Sequence, residues 1–173
     1  TGNKSVNSNT IGGITANGPV CYFSGILFST SGTPVWVCNR NTVGGSGPNS
    51  LVNNATGSST TYGISASCNG AVTFTCSANT VRNIQSGVTG TSFNLGTAGM
   101  YLSMPGGNFD AGGNLIHSVK SSNLSQQTVV SGIAIYAGAG NVWGNTVHSL
   151  GAVSNATIIR GISSFAPTGI FKN

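Results

Sequence analysis

Few side chains in this sequence of 173 residues can carry acid–base, nucleophilic or metal chemistry. The chain has one acidic residue, Asp110, beside six lysines and arginines and two histidines. Glycoside hydrolysis usually needs two carboxylates, and Mg²⁺ or Ca²⁺ sites need several oxygen ligands. One carboxylate excludes these classes, so we expect Asp110 to cap a turn or to pair with a cation.

The best candidates for a site are Arg82, His117 and His148, which occupy equivalent positions in a repeated motif. If these positions stack, two imidazoles could bind a transition metal, or the three groups could hold an anion. A metal site needs three or four ligands with supporting groups, and carboxylates for that support are missing. We therefore predict solvent-facing polar residues, with no bound metal and no cofactor.

Nucleophilic catalysis needs a serine or cysteine beside a histidine that a third group orients. Ser118 and Ser149 directly follow the two histidines, but neighbouring residues of a strand point to opposite faces. The sequence thus predicts a protein that is not an enzyme.

The elements that position these residues come from an internal repeat. The tripeptide Asn-[Thr/Leu]-[Ile/Val] recurs at spacings of 32, 38, 35 and 31 residues, beginning at Asn9, Asn41, Asn79, Asn114 and Asn145. A glycine followed by Ile or Met comes after each tripeptide, at Gly25, Gly63, Gly99, Gly132 and Gly161. A third apolar position follows each of these, at Val35, Val72, Phe109, Val142 and Ile170. Three features in the same order define a repeat, which must be identified before any secondary structure.

Each repeat contains three short segments with apolar residues at strand-like spacing, and helical periodicity is absent. Repeats of this length that stack on their neighbours form solenoids. We therefore predict an all-β parallel β-helix of about five coils of 31–38 residues, with three short strands per coil. Residues 1–173 would form a single domain, either a segment of a longer solenoid or a self-stacking unit.

Equivalent residues of such coils form columns with a spacing of about 4.8 Å. The five repeated asparagines, here called the ladder asparagines, are predicted to be structural, because stacked amides donate and accept hydrogen bonds along the axis. The glycine before the second strand is expected to allow a bend or a positive φ. The loop between the first and second strands varies in length, and any function is expected there.

The four cysteines, Cys21, Cys38, Cys68 and Cys76, lack the Cys-x-x-Cys spacing of zinc sites. Three disulfide pairings are open. Cys38 and Cys76 each lie three residues before a ladder asparagine, so we favour a bridge between them. Unpaired buried thiols are the alternative.

The segments Asn114–Val119 and Asn145–Leu150, each followed by a Ser/Thr/Ala-rich loop and Gly-Ile, resemble right-handed parallel β-helix repeats of large secreted and surface proteins of Bacteroidota. The resemblance covers essentially the whole chain and is best over residues 79–173. The first two repeats depart from it, with Gly12-Gly13 and Gly44-Gly45 at the positions that later carry a basic residue and its neighbour. The resemblance implies a secreted, extracellular or cell-surface protein with an adhesive or fibrous role.

Charge and hydropathy limit the partners. The six cations, Lys4, Arg40, Arg82, Lys120, Arg160 and Lys172, are scattered, so no nucleic-acid-binding patch is expected. Apolar runs stop well short of the ~18 residues that a membrane-spanning helix needs. The expected partners are other copies of the chain, stacked end to end, or further coils of the same chain, and surface glycans.

The sequence thus predicts a non-catalytic structural or adhesive segment of a secreted cell-surface protein, able to form fibres by coil-on-coil stacking. The alternative is a module that binds carbohydrate or ice through an outer face or the variable loops. The aromatic residues considered for stacking on sugars are Trp36, Trp143, Tyr101 and Tyr136, which form no evident platform. The threonines considered for ordering water are Thr10, Thr42, Thr80 and Thr146, a column broken by Leu115.

Overall fold

The computed structural model describes residues 2–55, 57–88, 96–123, 128–154, 157–165 and 170–172. All regular structure in these residues is β-strand. The strands pair in parallel and stack as a β-solenoid of about four turns, which confirms the predicted all-β solenoid.

In chain order the strands are β1 (Lys4–Asn7), β2 (Thr10–Ile11), β3 (Ile14–Ala16), β4 (Phe23–Thr30), β5 (Val35–Asn39), β6 (Thr42–Val43), β7 (Leu51–Asn53), β8 (Thr61–Cys68), β9 (Thr73–Ser77), β10 (Thr80–Ser86), β11 (Thr97–Gly112), β12 (Leu115–Ser121), β13 (Val129–Trp143), β14 (Thr146–His148), β15 (Gly151–Ala152), β16 (Ile158–Ser164) and β17 (Ile170–Lys172). Eight strands form the ladder sheet, in the order β14-β12-β10-β6-β2, with β3, β7 and β15 alongside. Nine strands form the long sheet, in the order β1-β5-β9-β11-β13-β16, with β4, β8 and β17 alongside.

The strands do not divide each repeat into three equal pieces. β11 and β13 are each one continuous strand where the sequence predicts a separate second and third strand. Their mutual register shifts between Leu102 and Asn108. In the ladder sheet, the strand after Asn9, Asn41 or Asn145 is interrupted, whereas β10 and β12 are continuous.

A left-handed residue precedes every ladder asparagine. These residues are Ser8, Arg40, Ala78, Gly113 and Gly144, with φ of 58°, 56°, 53°, 62° and 56°. The backbone therefore turns into the ladder sheet in the same way each time. Left-handed backbone costs a residue with a Cβ about 1–2 kcal/mol, so the hydrogen bonds of the adjacent asparagine must offset that cost where the residue is not glycine.

The core lies between the two sheets and explains the repeated glycine. Gly99 is not among the glycines with positive φ, so the expected positive φ at this position is wrong. A Cβ on Gly99 would lie 2.3 Å from Ile116 Cγ2, on the opposite sheet, and 2.8 Å from the carbonyl oxygen of Gly132. Glycine is present because the sheets approach too closely for a side chain. Gly25, Gly63 and Gly132 meet the same kind of contact.

The third apolar column was placed in the wrong register by the sequence. In β5 the aromatic Trp36, not Val35, is buried, and it pairs with Phe74. Val35 is 43% exposed. On the next strands Phe74 pairs with Phe109, whereas Val142 pairs with Ala111.

Candidate functional site

The ladder asparagines form a continuous chain of side-chain hydrogen bonds. Asn79 Oδ1 accepts from the backbone N–H of Asn41 (2.9 Å) and from Asn41 Nδ2 (3.0 Å). Asn79 in turn donates its backbone N–H and its Nδ2 to Asn114 Oδ1, at 3.0 and 2.9 Å. Its Nδ2 also donates to the carbonyl of Cys38 (2.8 Å). Each inner amide therefore links three successive levels of the stack, while Asn9 and Asn145 continue the chain at its two ends.

Cys38 and Cys76 are register partners on β5 and β9, but the predicted disulfide is not formed, and all four cysteines are free. A disulfide needs Cβ atoms about 3.5–4.5 Å apart, whereas in-register parallel strands hold equivalent atoms at about 4.8 Å. Both thiols accept an amide N–H from the ladder instead, Cys38 from Asn41 and Cys76 from Asn79. Burial raises the pKa of the Cys76 thiol, so it is not a reactive thiolate.

A second polar column, which the sequence interpretation missed, runs beside the ladder. Asn7 Oδ1 accepts the backbone N–H of Asn39 (3.0 Å), and Asn39 Oδ1 accepts the N–H (3.1 Å) and the hydroxyl (2.9 Å) of Ser77. The signal was available, because each residue lies two positions before a ladder asparagine. Both columns hold the backbone in register.

The candidate site residues Arg82, His117 and His148 are register partners on β10, β12 and β14. The two imidazole rings stack with centroids 5.0 Å apart and 2° between their planes. Arg82 Nε donates to the carbonyl of Gly44 (3.3 Å). Partial burial lowers the pKa of His117, and the nearby His148 and Arg82 lower it further. Within the described ranges, no group of three or more His, Cys, Asp or Glu side chains could hold a metal ion.

The serines beside the histidines do not point away as a regular strand would require. His117 Nδ1 lies 3.1 Å from Ser118 Oγ, and His148 Nδ1 lies 2.9 Å from Ser149 Oγ. Ser118 and Ser149 have φ of 55° and 54°, so strand alternation fails at both. A Ser–His pair still needs a third group to orient the imidazole. Asp110, the only carboxylate side chain in the sequence, lies within β11 and accepts the indole N–H of Trp143, so it does not cap a turn, and no described cationic side chain pairs with it as expected.

Acidification is expected to weaken the fold through the histidine column. A folded-state pKa of His117 below its ordinary value of 6.5 means that the unfolded chain binds a proton more readily. The stability present above pH 6.5 is therefore lost as the pH falls through the folded-state pKa. Because His117 is only partly buried and solvent screens its charge, the loss should stay below about 1 kcal/mol. Chemical unfolding at several pH values would measure this loss of stability. In the control variant His117→Gln, stability should depend less on pH. If stability depended on pH as strongly in His117→Gln as in the wild-type chain, His117 would not be the responsible group.

The four aromatic residues considered for sugar stacking fall into different environments. Trp36 is fully buried in the core against Phe28 and Phe74, so it cannot meet a ligand. Trp143 is 46% exposed and bonds Asp110. Tyr101 and Tyr136 line one groove on the long sheet.

The threonine column considered for ice binding is in register, and Leu115 interrupts it as the sequence indicates. The variable loops, where function was expected, lie partly outside the described residues, at positions 56, 89–95, 124–127 and 155–156.

In the part of the chain that the structure describes, no helix is long and apolar enough to cross a membrane. Comparison with protein-family models, with curated protein sequences and with solved structures finds no match to this chain.

Proposed function

We propose that this chain is a non-catalytic structural or adhesive segment of a secreted cell-surface protein, which extends its stack by coil-on-coil contact. The secreted location rests on the Ser/Thr/Asn/Gly-rich, acid-poor composition and on the resemblance of residues 79–173 to surface β-helix repeats. We infer that each ladder asparagine opens one of five coils. The observation that carries the proposal is that the ladder is open at both ends of the described stack.

At one end, Asn9 Nδ2 donates to Asn41 Oδ1 (3.0 Å), but Asn9 Oδ1 accepts no hydrogen bond from any described residue. At the other end, Asn145 Nδ2 donates to the carbonyl of Ala111 (2.9 Å), and its backbone N–H has no acceptor among the described residues. An acceptor at one end and donors at the other are complementary. Another level placed on either end would continue the same bonds.

The last level also exposes residues that are buried at every inner level. Ile159 is 50% exposed and Ile162 is 41% exposed, whereas their register partners Val130 and Ile133 are fully buried. Gly161 has no neighbour within 4 Å of a Cβ position, although glycines of the same column at inner levels are closely packed. Exposed core of this kind marks an association surface. A further coil would cover it.

The scarcity of charge supports the same interpretation. Like charges that face each other on neighbouring strands repel, and a column of charges would repel at every level of the stack. Neutral Asn, Thr, Ser and Gly avoid this cost, which fits a chain with 4% charged residues.

Stacking of copies meets one geometric conflict. β1 precedes the first ladder asparagine and β17 follows the last, and both belong to the same row of the long sheet. In a head-to-tail pair, β17 of one copy and β1 of the next would need the same position. β1 is mostly exposed, so we expect β1 to detach and leave this position to β17.

Association of purified chains tests the proposal. Sedimentation velocity and electron microscopy are expected to show concentration-dependent assembly, which Ile162→Lys abolishes by placing a charge on the exposed end. Leu27→Lys is the matched control, because Leu27 is 61% exposed on the side of the stack. Deleting residues 1–7 should promote assembly by removing the overlap. A wild-type chain that stays monomeric over a wide concentration range, or two lysine variants that behave alike, would refute stacking of copies.

A further inference from the structure

Four aromatic side chains from consecutive strands of the long sheet meet on one side of the solenoid. Tyr62 lies on β8, Tyr101 on β11, Tyr136 on β13, and Phe165 directly follows β16. The rings of Tyr62 and Tyr101 stack with centroids 4.5 Å apart and 2° between planes. The rings of Tyr136 and Phe165 are 6.5 Å apart and tilted by 51°. The two pairs form the walls of a groove.

The floor of this groove is made of small residues. Ala98, Ala134 and Ser131 line it between the aromatic walls, and the cavity itself measures only about 20 Å³, so the groove is shallow. This volume is far below the range of about 300–1,000 Å³ for small-molecule pockets, so a ligand would lie on the aromatic faces and not inside an enclosed pocket. Ser131 Oγ lies 3.5 Å from Ser163 Oγ, so hydroxyls are available beside the ring faces. A ring with polar substituents can therefore lie across the exposed faces of Tyr136 and Phe165, which are 42% and 47% exposed, with these hydroxyls at its edge.

A cation lies beside the Phe165 wall of the groove. The guanidinium carbon of Arg160 lies 5.3 Å from the centroid of the Phe165 ring. The only carboxylate side chain of the chain, Asp110, bonds Trp143 on another part of the long sheet, so no described residue supplies Arg160 with a carboxylate side chain. The formal net charge of +5 also favours an anionic partner.

We propose that this groove binds a carboxylated glycan, with a pyranose ring against Tyr101 and Tyr136 and its carboxylate on Arg160. Aromatic faces offer an apolar surface to the C–H groups of a sugar ring, and the tyrosine and serine hydroxyls accept and donate hydrogen bonds at its edge. A guanidinium binds a carboxylate through two parallel N–H donors. Together these groups distinguish an acidic sugar from a neutral one.

The inference rests on the adhesive part of the proposed function and not on stacking. The groove reaches the last level through Phe165, but Ile162, which the stacking test changes, is not among its lining residues, so loss of assembly and loss of glycan binding are separate outcomes.

The test uses the full chain with a hexuronate oligosaccharide and its carboxyl-reduced neutral counterpart as probes in titration calorimetry. Tyr136→Ala is expected to weaken binding of the acidic probe by about ten-fold. Arg160→Gln should weaken binding of the acidic probe by a similar factor and leave binding of the neutral probe unchanged. Tyr22→Ala is the control, since Tyr22 is 71% exposed and lies outside the groove lining. Thermal unfolding of each variant checks that the fold is retained.

Absence of binding by the wild-type chain would overturn the proposal. Equal affinity for the two probes would overturn the role of Arg160 and with it the acidic class of ligand. Loss of binding in Tyr22→Ala to the same extent as in Tyr136→Ala would show that the groove is not the site. If the chain assembles as proposed but binds no glycan, the stacking proposal stands and the glycan proposal is refuted.

Discussion

Gly99→Ala is expected to lower the free energy of unfolding by about 3 kcal/mol, the upper part of the range for overpacked cores. The added methyl would lie 2.3 Å from Ile116 Cγ2 and 2.8 Å from the carbonyl oxygen of Gly132. The first contact spans the core to the ladder sheet, and the second is to the backbone of the neighbouring strand. Rotation of one side chain cannot relieve both contacts, so the sheets themselves must move apart. Urea unfolding followed by circular dichroism would measure the loss.

Two comparisons separate overpacking from a general effect of alanine. Gly161 belongs to the same column, but a Cβ there has no neighbour within 4 Å, so Gly161→Ala should change stability by no more than about 0.5 kcal/mol. Ile116→Ala makes room opposite Gly99. The double variant Gly99→Ala/Ile116→Ala should therefore be less destabilised than the sum of its single variants. Additive effects, or a stable Gly99→Ala, would show that the close approach of the sheets is not what requires glycine.

The sequence was most informative where each repeat carries the same residue at the same position. The tripeptide that begins with the ladder asparagine set the register of the ladder sheet, including the alignment of Arg82 with His117 and His148. A stacked parallel sheet turns such a repetition directly into spatial neighbours. The all-β solenoid followed from this pattern.

The long sheet was harder to predict for two physical reasons. Residues 35–38 are apolar without alternation, so the sequence could not show that Trp36 faces the core and Val35 the solvent. β11 also carries extra residues between Ser103 and Asn108 that have no counterpart in β13, which shifts the register. Chain spacing alone therefore aligns the wrong residues.

The repeat pattern could not predict the aromatic groove. Its walls come from non-equivalent positions: Tyr62 precedes the repeated glycine, Tyr101 follows it, and Phe165 lies directly after β16. No column of identical residues in the sequence indicates such a site. Only the stacking of neighbouring levels brings these rings within contact distance.

Asn79→Ala should be the most destabilising polar substitution, lowering the free energy of unfolding by about 4 kcal/mol. Asn79 is 1% exposed. Its removal leaves the backbone N–H and the amide of Asn41 without their acceptor, and the carbonyl of Cys38 without its donor. A buried polar group left without a partner costs about 1–3 kcal/mol. Several such costs arise together at one level, where water cannot replace the lost amide.

Asn9→Ala is the matched control, because it removes the same amide at the exposed end of the ladder. Asn9 donates its backbone N–H and Nδ2 to Asn41 Oδ1, and its own Oδ1 accepts from no described residue. The substitution removes one side-chain donor near solvent, so we expect a loss of about 1 kcal/mol or less. Thermal and urea unfolding of both variants would give the difference. Equal losses would mean that the asparagines act singly, as local turn residues, whereas a large loss confined to Asn79 requires a buried chain of amides in which each member satisfies its neighbours.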